Sequence, residues 1–190
     1  MRNLVPALLA LILTGCGLSP QVIEIAPSPA PSSENMGNNQ PVAVRVVDQR
    51  EHTQFGTRGG VYSETSLIRP ANDVPQAVTE VLKKALQSRG YNAFNPGDDS
   101  RKLEVRITTL EYIPEAGHVI NEVRVNARLK AVASNTDGDT YTGVYRTSSD
   151  FNQPLTPTAR QNERMINEVL ERALDKLLAD PALHEFLARP

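Results

Sequence analysis

Apolar residues recur along the chain with two different periods. Val74, Ala77, Val78, Val81, Leu82, Ala85 and Leu86 fall at the three- and four-residue spacing of a single helical face. This predicts an amphipathic helix. Asp73, with Gln76 three positions later, supplies its start signal, Pro75 suits the first turn, and Gly90 supplies a left-handed stop. The same period returns between Thr156 and Asp180, where Met165, Ile166, Val169, Leu170, Ala173, Leu174, Leu177 and Leu178 lie opposite Glu168, Glu171, Arg172, Asp175 and Lys176. Asp180-Pro181 then opens a last short helix through Leu187.

Elsewhere the period is two. Val42 to Val47, interrupted only by Arg45, read as a mostly buried strand ending at Asp48-Gln49-Arg50-Glu51. Phe55 to Arg69, with Gly56, Gly59 and Gly60, suggest a loop or weak hairpin, and Tyr91 to Phe94 suggest the start of another strand. Leu103, Val105 and Ile107 alternate with Glu104, Arg106 and Thr108. The clearest alternation sets Val123, Val125, Ala127, Leu129, Ala131 and Ala133 against Glu122, Arg124, Asn126, Arg128 and Lys130, and Asp137-Gly138 then turns into Thr140 to Thr147. The order β-α-β-β-β-α-α predicts a two-layer α+β domain. Its expected form is a mostly antiparallel sheet of about four strands with two main helices on one face.

The N-terminus has a different character. Arg2 precedes an apolar run, Leu4 to Leu13, which is shorter than the ~20 residues a membrane-spanning helix needs. The run ends in Leu13-Thr14-Gly15-Cys16. A basic start, a short apolar middle and small residues before a cut make a secretory signal over residues 1–15. The ending resembles the lipobox of bacterial lipoproteins, which implies cleavage between Gly15 and Cys16 and a lipid on the Cys16 thiol. By the same resemblance, Gly17, Leu18 and Ser19 carry no inner-membrane retention aspartate and favour the outer membrane. Of the 24 residues from Gly17 to Gln40, 15 are Pro, Ser, Gly, Asn or Gln. Such a segment reads as a semi-extended tether reaching roughly 25 to 30 Å as a coil, with Val22-Ile23-Glu24-Ile25 as its one stretch able to pair as a strand. It would leave residues 41–190 as a periplasmic domain able to fold when begun at Pro41.

The lipobox, the proline-rich segment, the valine strand ending in Asp48-Gln49-Arg50, Ser88-Arg89-Gly90-Tyr91 and the final His184-Glu185-Phe186-Leu187 together resemble the YajG family of bacterial lipoproteins. The resemblance spans essentially the whole chain. It implies an outer-membrane lipoprotein and implies no reaction.

Composition narrows the chemistry. The 20 basic and 22 acidic residues give a net charge of -2, which argues against nucleic acid as a partner. One cysteine excludes an internal disulfide and any multi-cysteine metal centre, and the three histidines, His52, His118 and His184, are widely spaced. No cofactor or metal is expected, and no nucleophile, base and orienting group stand together to suggest an enzyme. Gly56 to Gly60 lack the Lys-Ser/Thr ending of a phosphate loop, and Asn135, Asp137 and Asp139 lack the distal glutamate of a calcium loop. Two candidate sites follow. One is the strand-end pair Asp48 and Arg50. The other is the polar sheet face carrying Arg106, Arg124, Arg128, Lys130 and Arg146, suited to an anionic envelope polymer, lipid head group or protein partner. The expected role is that of a membrane-anchored accessory or scaffold, with a binding module for an anionic ligand as the alternative.

Overall fold

The computed structural model describes residues 18–32, 34–115 and 121–189. Strands β1 (Gln21–Ile23), β2 (Val42–Asp48), β3 (Gly56–Thr57) and β4 (Leu67–Pro70) precede helix α1 (Val74–Gln87). The long strands β5 (Arg101–Glu115), β6 (Asn121–Ser134) and β7 (Thr140–Gln153) follow, then helices α2 (Ala159–Leu178) and α3 (Pro181–Ala188). The helices form where the apolar stripes predict them. Asp73 accepts from Gln76 N at the start of α1, Thr158 and Gln161 form a reciprocal capping box on α2, and Asp180 caps α3.

The fold class is α+β, but the sheet differs from the expectation of about four mostly antiparallel strands. Among the described residues it is a mixed sheet of seven strands in the order β1-β4-β3-β5-β6-β7, with β2 also pairing β5. The antiparallel meander β5-β6-β7 is the part that alternation predicted, and Gly138 at φ +92° makes its tight turn. The parallel part has a topological cause. Helix α1 connects β2 to β5, and a strand-helix-strand crossover of this kind returns its second strand parallel to the first. One edge of β5 is shared, because β2 covers Arg101 to Ile107 and β3 pairs at Tyr112, beyond a bulge between Ile107 and Thr109. Tyr91 to Phe94 do not form the expected strand. They contribute an isolated bridge, Asn92 to Pro41.

The larger correction concerns residues 17–40. They are not a free tether where the structure describes them. β1 pairs parallel with β4, and Ile23 and Ile25 are buried in the core. Beyond β1 the chain lies along α2. The backbone N–H groups of Glu24, Ala26, Ser28 and Ala30 donate at 2.8 to 2.9 Å to the side chains of Glu163, Asn167, Glu171 and Asp175. The two periods match. Two residues of extended proline-rich chain advance ~6.2 Å and four residues of helix ~6.0 Å, so every second strap residue meets every fourth helix residue. Pro27, Pro29 and Pro31 occupy the alternate positions, where no donor is needed, and Pro27 is buried. Asn72 exchanges two hydrogen bonds with Ile25, and Arg89 donates to the carbonyl of Ala30. The folded unit thus begins near Gln21 rather than Pro41.

Past the strap the chain turns around the end of α1. Met36 and Gly37 donate to the carbonyl of Arg89, and Asn39 donates to that of Gly90. A side chain on Gly37 would collide with the Tyr91 backbone at 2.5 Å, so this close crossing needs glycine.

Candidate functional site

Asp48 and Arg50 come together, but as structure. Arg50 forms a two-point pair with Asp48 at 2.7 and 2.8 Å, donates to the carbonyls of Thr53 and Leu110, and lies over the Phe55 ring at 5.0 Å. Its side chain is only 5% exposed. The guanidinium is engaged in holding the loop from Gln49 to Phe55 against β5.

The polar face of the meander gathers the basic residues as alternation predicts, and register sorts them. Arg106 is neutralised by Glu104 at 2.6 Å, and Arg124 by Asp150 at 2.7 Å and Glu115 at 3.2 Å. Arg128, Lys130 and Arg146 have no ion-pair partner among the described residues. Arg128 stands directly opposite Arg146, and Lys130 opposite Val144 on the same face. Two like charges facing each other across strands destabilise a sheet by a few tenths of a kcal/mol or more, so this sequence tolerates a local cost there. Nearby, Lys176 of α2 reaches the edge strand and donates to the backbone carbonyl of Arg146 at 2.7 Å.

The remaining polar motifs are structural. Asn135 and Asp139 bond each other across the β6-β7 turn at 2.8 and 3.1 Å, as a hairpin turn does. His184 is buried, with Nδ1 at 2.9 Å from the Tyr91 hydroxyl and Nε2 at 2.8 Å from the carbonyl of Leu178. That bond to a carbonyl requires a proton on Nε2, which leaves Nδ1 to accept from Tyr91. Burial pushes the Tyr91 hydroxyl up to about 12. Among the described residues no three His, Cys, Asp or Glu side chains are grouped to hold a metal ion. Gly15, Cys16 and His118 lie outside the described residues.

One cluster had only a faint signal in the sequence. Tyr141 and Tyr145 both donate to Oδ2 of Asp180, the latter at 2.6 Å, while Oδ1 caps α3. Gly143 permits it, since a Cβ there would lie 2.3 Å from the Tyr145 hydroxyl. Burial pushes the Asp180 carboxyl upward, but the bonds from Tyr141, Tyr145 and two backbone N–H groups outweigh it and hold the carboxyl below its usual range. A depressed carboxyl contributes stability above its unfolded value, near ~3.9, and that stability disappears as pH falls through the folded value. The wild-type melting midpoint should therefore drop on acidification below that range. Asp180→Asn should be less stable at neutral pH and should show a flatter acid limb. Equal slopes for the two proteins in thermal melts across pH would remove Asp180 from this role.

With the geometry in place, comparison decides the family. A family model described as "Uncharacterized lipoprotein" matches residues 27–188. The chain belongs to this lipoprotein family. The lipoproteins YajG of Escherichia coli K12 and of Escherichia coli O6:H1 are each 24% identical over 191 residues, covering 98% of this chain and 96% of theirs. A crystal structure of a Xanthomonas campestris protein has the same fold at a TM-score of 0.54 and 13% identity, covering 87% of this chain and 97% of that one. The family match begins inside the docked strap, in keeping with the strap's place in the fold. No helix of the described residues is long and apolar enough to cross a membrane.

Proposed function

We propose that this lipoprotein is a non-enzymatic accessory of the bacterial envelope, anchored through Cys16 to the outer membrane, and that it presents the outer face of β6 and β7 to an anionic partner. The observation that carries this reading is the sorting of charge on that face. Arg106 and Arg124 are internally paired, whereas Arg128, Lys130 and Arg146 stand side by side on paired strands with no ion-pair partner among the described residues. Rigid strands hold donors more reproducibly than loops do, and clustered cations draw anions within a Debye length of ~8 Å at physiological salt. The absence of a retention aspartate among Gly17, Leu18 and Ser19 supports the outer membrane as the site of action. A glycan or a lipid head group bound at this face is the narrower form of the same reading.

The test uses a photocrosslinking residue at Val144, which is 44% exposed and sits beside Lys130. In living cells it should capture a discrete species whose mass identifies a protein or a polymer. Arg128→Glu with Arg146→Glu should abolish the capture while the melting temperature holds, since surface changes stay within ~0.5 kcal/mol each. Unchanged capture at unchanged stability would exclude the face.

A further inference from the structure

Docking of the strap shortens the leash to almost nothing. Arg58 donates to the carbonyl of Ser19 at 2.8 Å and contacts that of Pro157 at 3.5 Å, so the point where the chain leaves the fold is pinned between two loops. Leu18 lies 3.5 Å from the Cβ position of Gly60 and lines a hollow of about 230 Å³ with Gly59, Gly60, Thr156 and Pro157. Cys16 stands two positions earlier, and two residues span at most about 7 Å. Acyl chains on Cys16 therefore bring the bilayer up to this rim. The same two loops expose apolar side chains: Val61 is 91%, Leu155 78% and Tyr62 59% exposed. A branched aliphatic, a leucine and an amphipathic aromatic make the set that settles at a lipid interface.

We propose that the folded domain lies against the membrane on this rim, with Val61, Tyr62 and Leu155 in the boundary between head groups and acyl chains. The inference rests on lipidation of Cys16, and the occupant it names for the rim is lipid. In this pose the membrane sets the orientation of the sheet, so the face with Arg128 and Arg146 is held at a defined angle rather than tumbling on a tether.

The chain has no tryptophan, so Tyr62→Trp in the full-length protein creates a single probe. The Tyr62 carbonyl accepts from Thr65 N and Oγ1, and the exchange keeps these backbone acceptor bonds. The protein is purified from membranes, its lipid verified by intact mass, and placed in phosphatidylethanolamine and phosphatidylglycerol vesicles with and without brominated acyl chains. The expected result is blue-shifted emission that bromine quenches strongly, and loss of that quenching on adding Val61→Ser and Leu155→Ser while flotation with the vesicles is unchanged. Lipidated, floating protein whose introduced indole emits as in water would overturn the inference and leave the anchor standing. Blue emission without bromine quenching would also overturn it, because the rim would then be covered by protein. Protein without acyl mass that fails to float would remove the anchor itself, and the inference with it.

Discussion

A chain beginning at Pro41 should lose roughly 5 kcal/mol relative to one beginning at Gly17, much of the 5 to 15 kcal/mol that holds an ordinary domain together. Burying Ile23 and Ile25 contributes about 1.5 to 3 kcal/mol each, and removing them uncovers the core surface they rest on. Buried Asn162 loses its 2.6 Å bond to Gln21, and buried Arg89 loses the carbonyl of Ala30. Ordering an extended strap costs backbone entropy, which opposes this gain. Pro27, Pro29 and Pro31 reduce that cost because their φ angles are already fixed. Urea melts of the two chains measure the difference. Superimposed curves would restore the free-tether reading. A finer version separates the ladder from the apolar contacts: Ser28→Pro deletes a donor to Glu171 and should lower the midpoint, whereas Pro29→Ala touches no donor and should leave it within ~1 kcal/mol.

The strap shows where the sequence was legible and where it was not. Alternation along Val123 to Ala133 and the stripes of α1 and α2 named their buried faces, because a continuous sheet or helix imposes one period on its own residues. Composition misled over residues 17–40, since low apolar content argues that a segment cannot fold alone and says nothing about docking on a neighbour. The signal was nonetheless present in two places at once. Prolines stand at every second position from Pro27 to Pro31, and acceptors stand at every fourth from Glu163 to Asp175. Neither row means much alone. The candidate face was legible for a similar reason and to a similar depth: alternation put five cations on one side, but only cross-strand register shows that Arg124 meets Asp150 while Arg128 meets Arg146. Asp48 and Arg50 read as a loop site because burial of a guanidinium between a carboxylate, two carbonyls and a phenyl ring leaves no mark in a linear pattern.

Leu174→Ala should destabilise the protein by ~2 to 5 kcal/mol, with Leu82→Ala in the same range. Both side chains are fully buried, Leu82 on the α1 stripe and Leu174 on that of α2, in the single apolar core that the helices share with the sheet. Helix α2 packs on β6 and β7, whose inward residues include Ala127, Ala131, Ala133 and Gly143. Such small residues bring the helix axis close, and close packing leaves neighbours little room to collapse into a vacated volume, which places Leu174 toward the upper part of the range. For a chain of this size each kcal/mol moves the melting midpoint by about 2 to 4 °C, so the variant should melt roughly 5 to 20 °C lower and still cooperatively. Leu174→Met keeps the volume and should cost less than ~1.5 kcal/mol. Calorimetry on the three proteins decides: equal midpoints for Ala and Met would mean that the site relaxes freely and that the helix does not sit tightly on the sheet. Combined with removal of the strap, which lies along the same helix, Leu174→Ala should deviate from additivity, because both changes loosen α2.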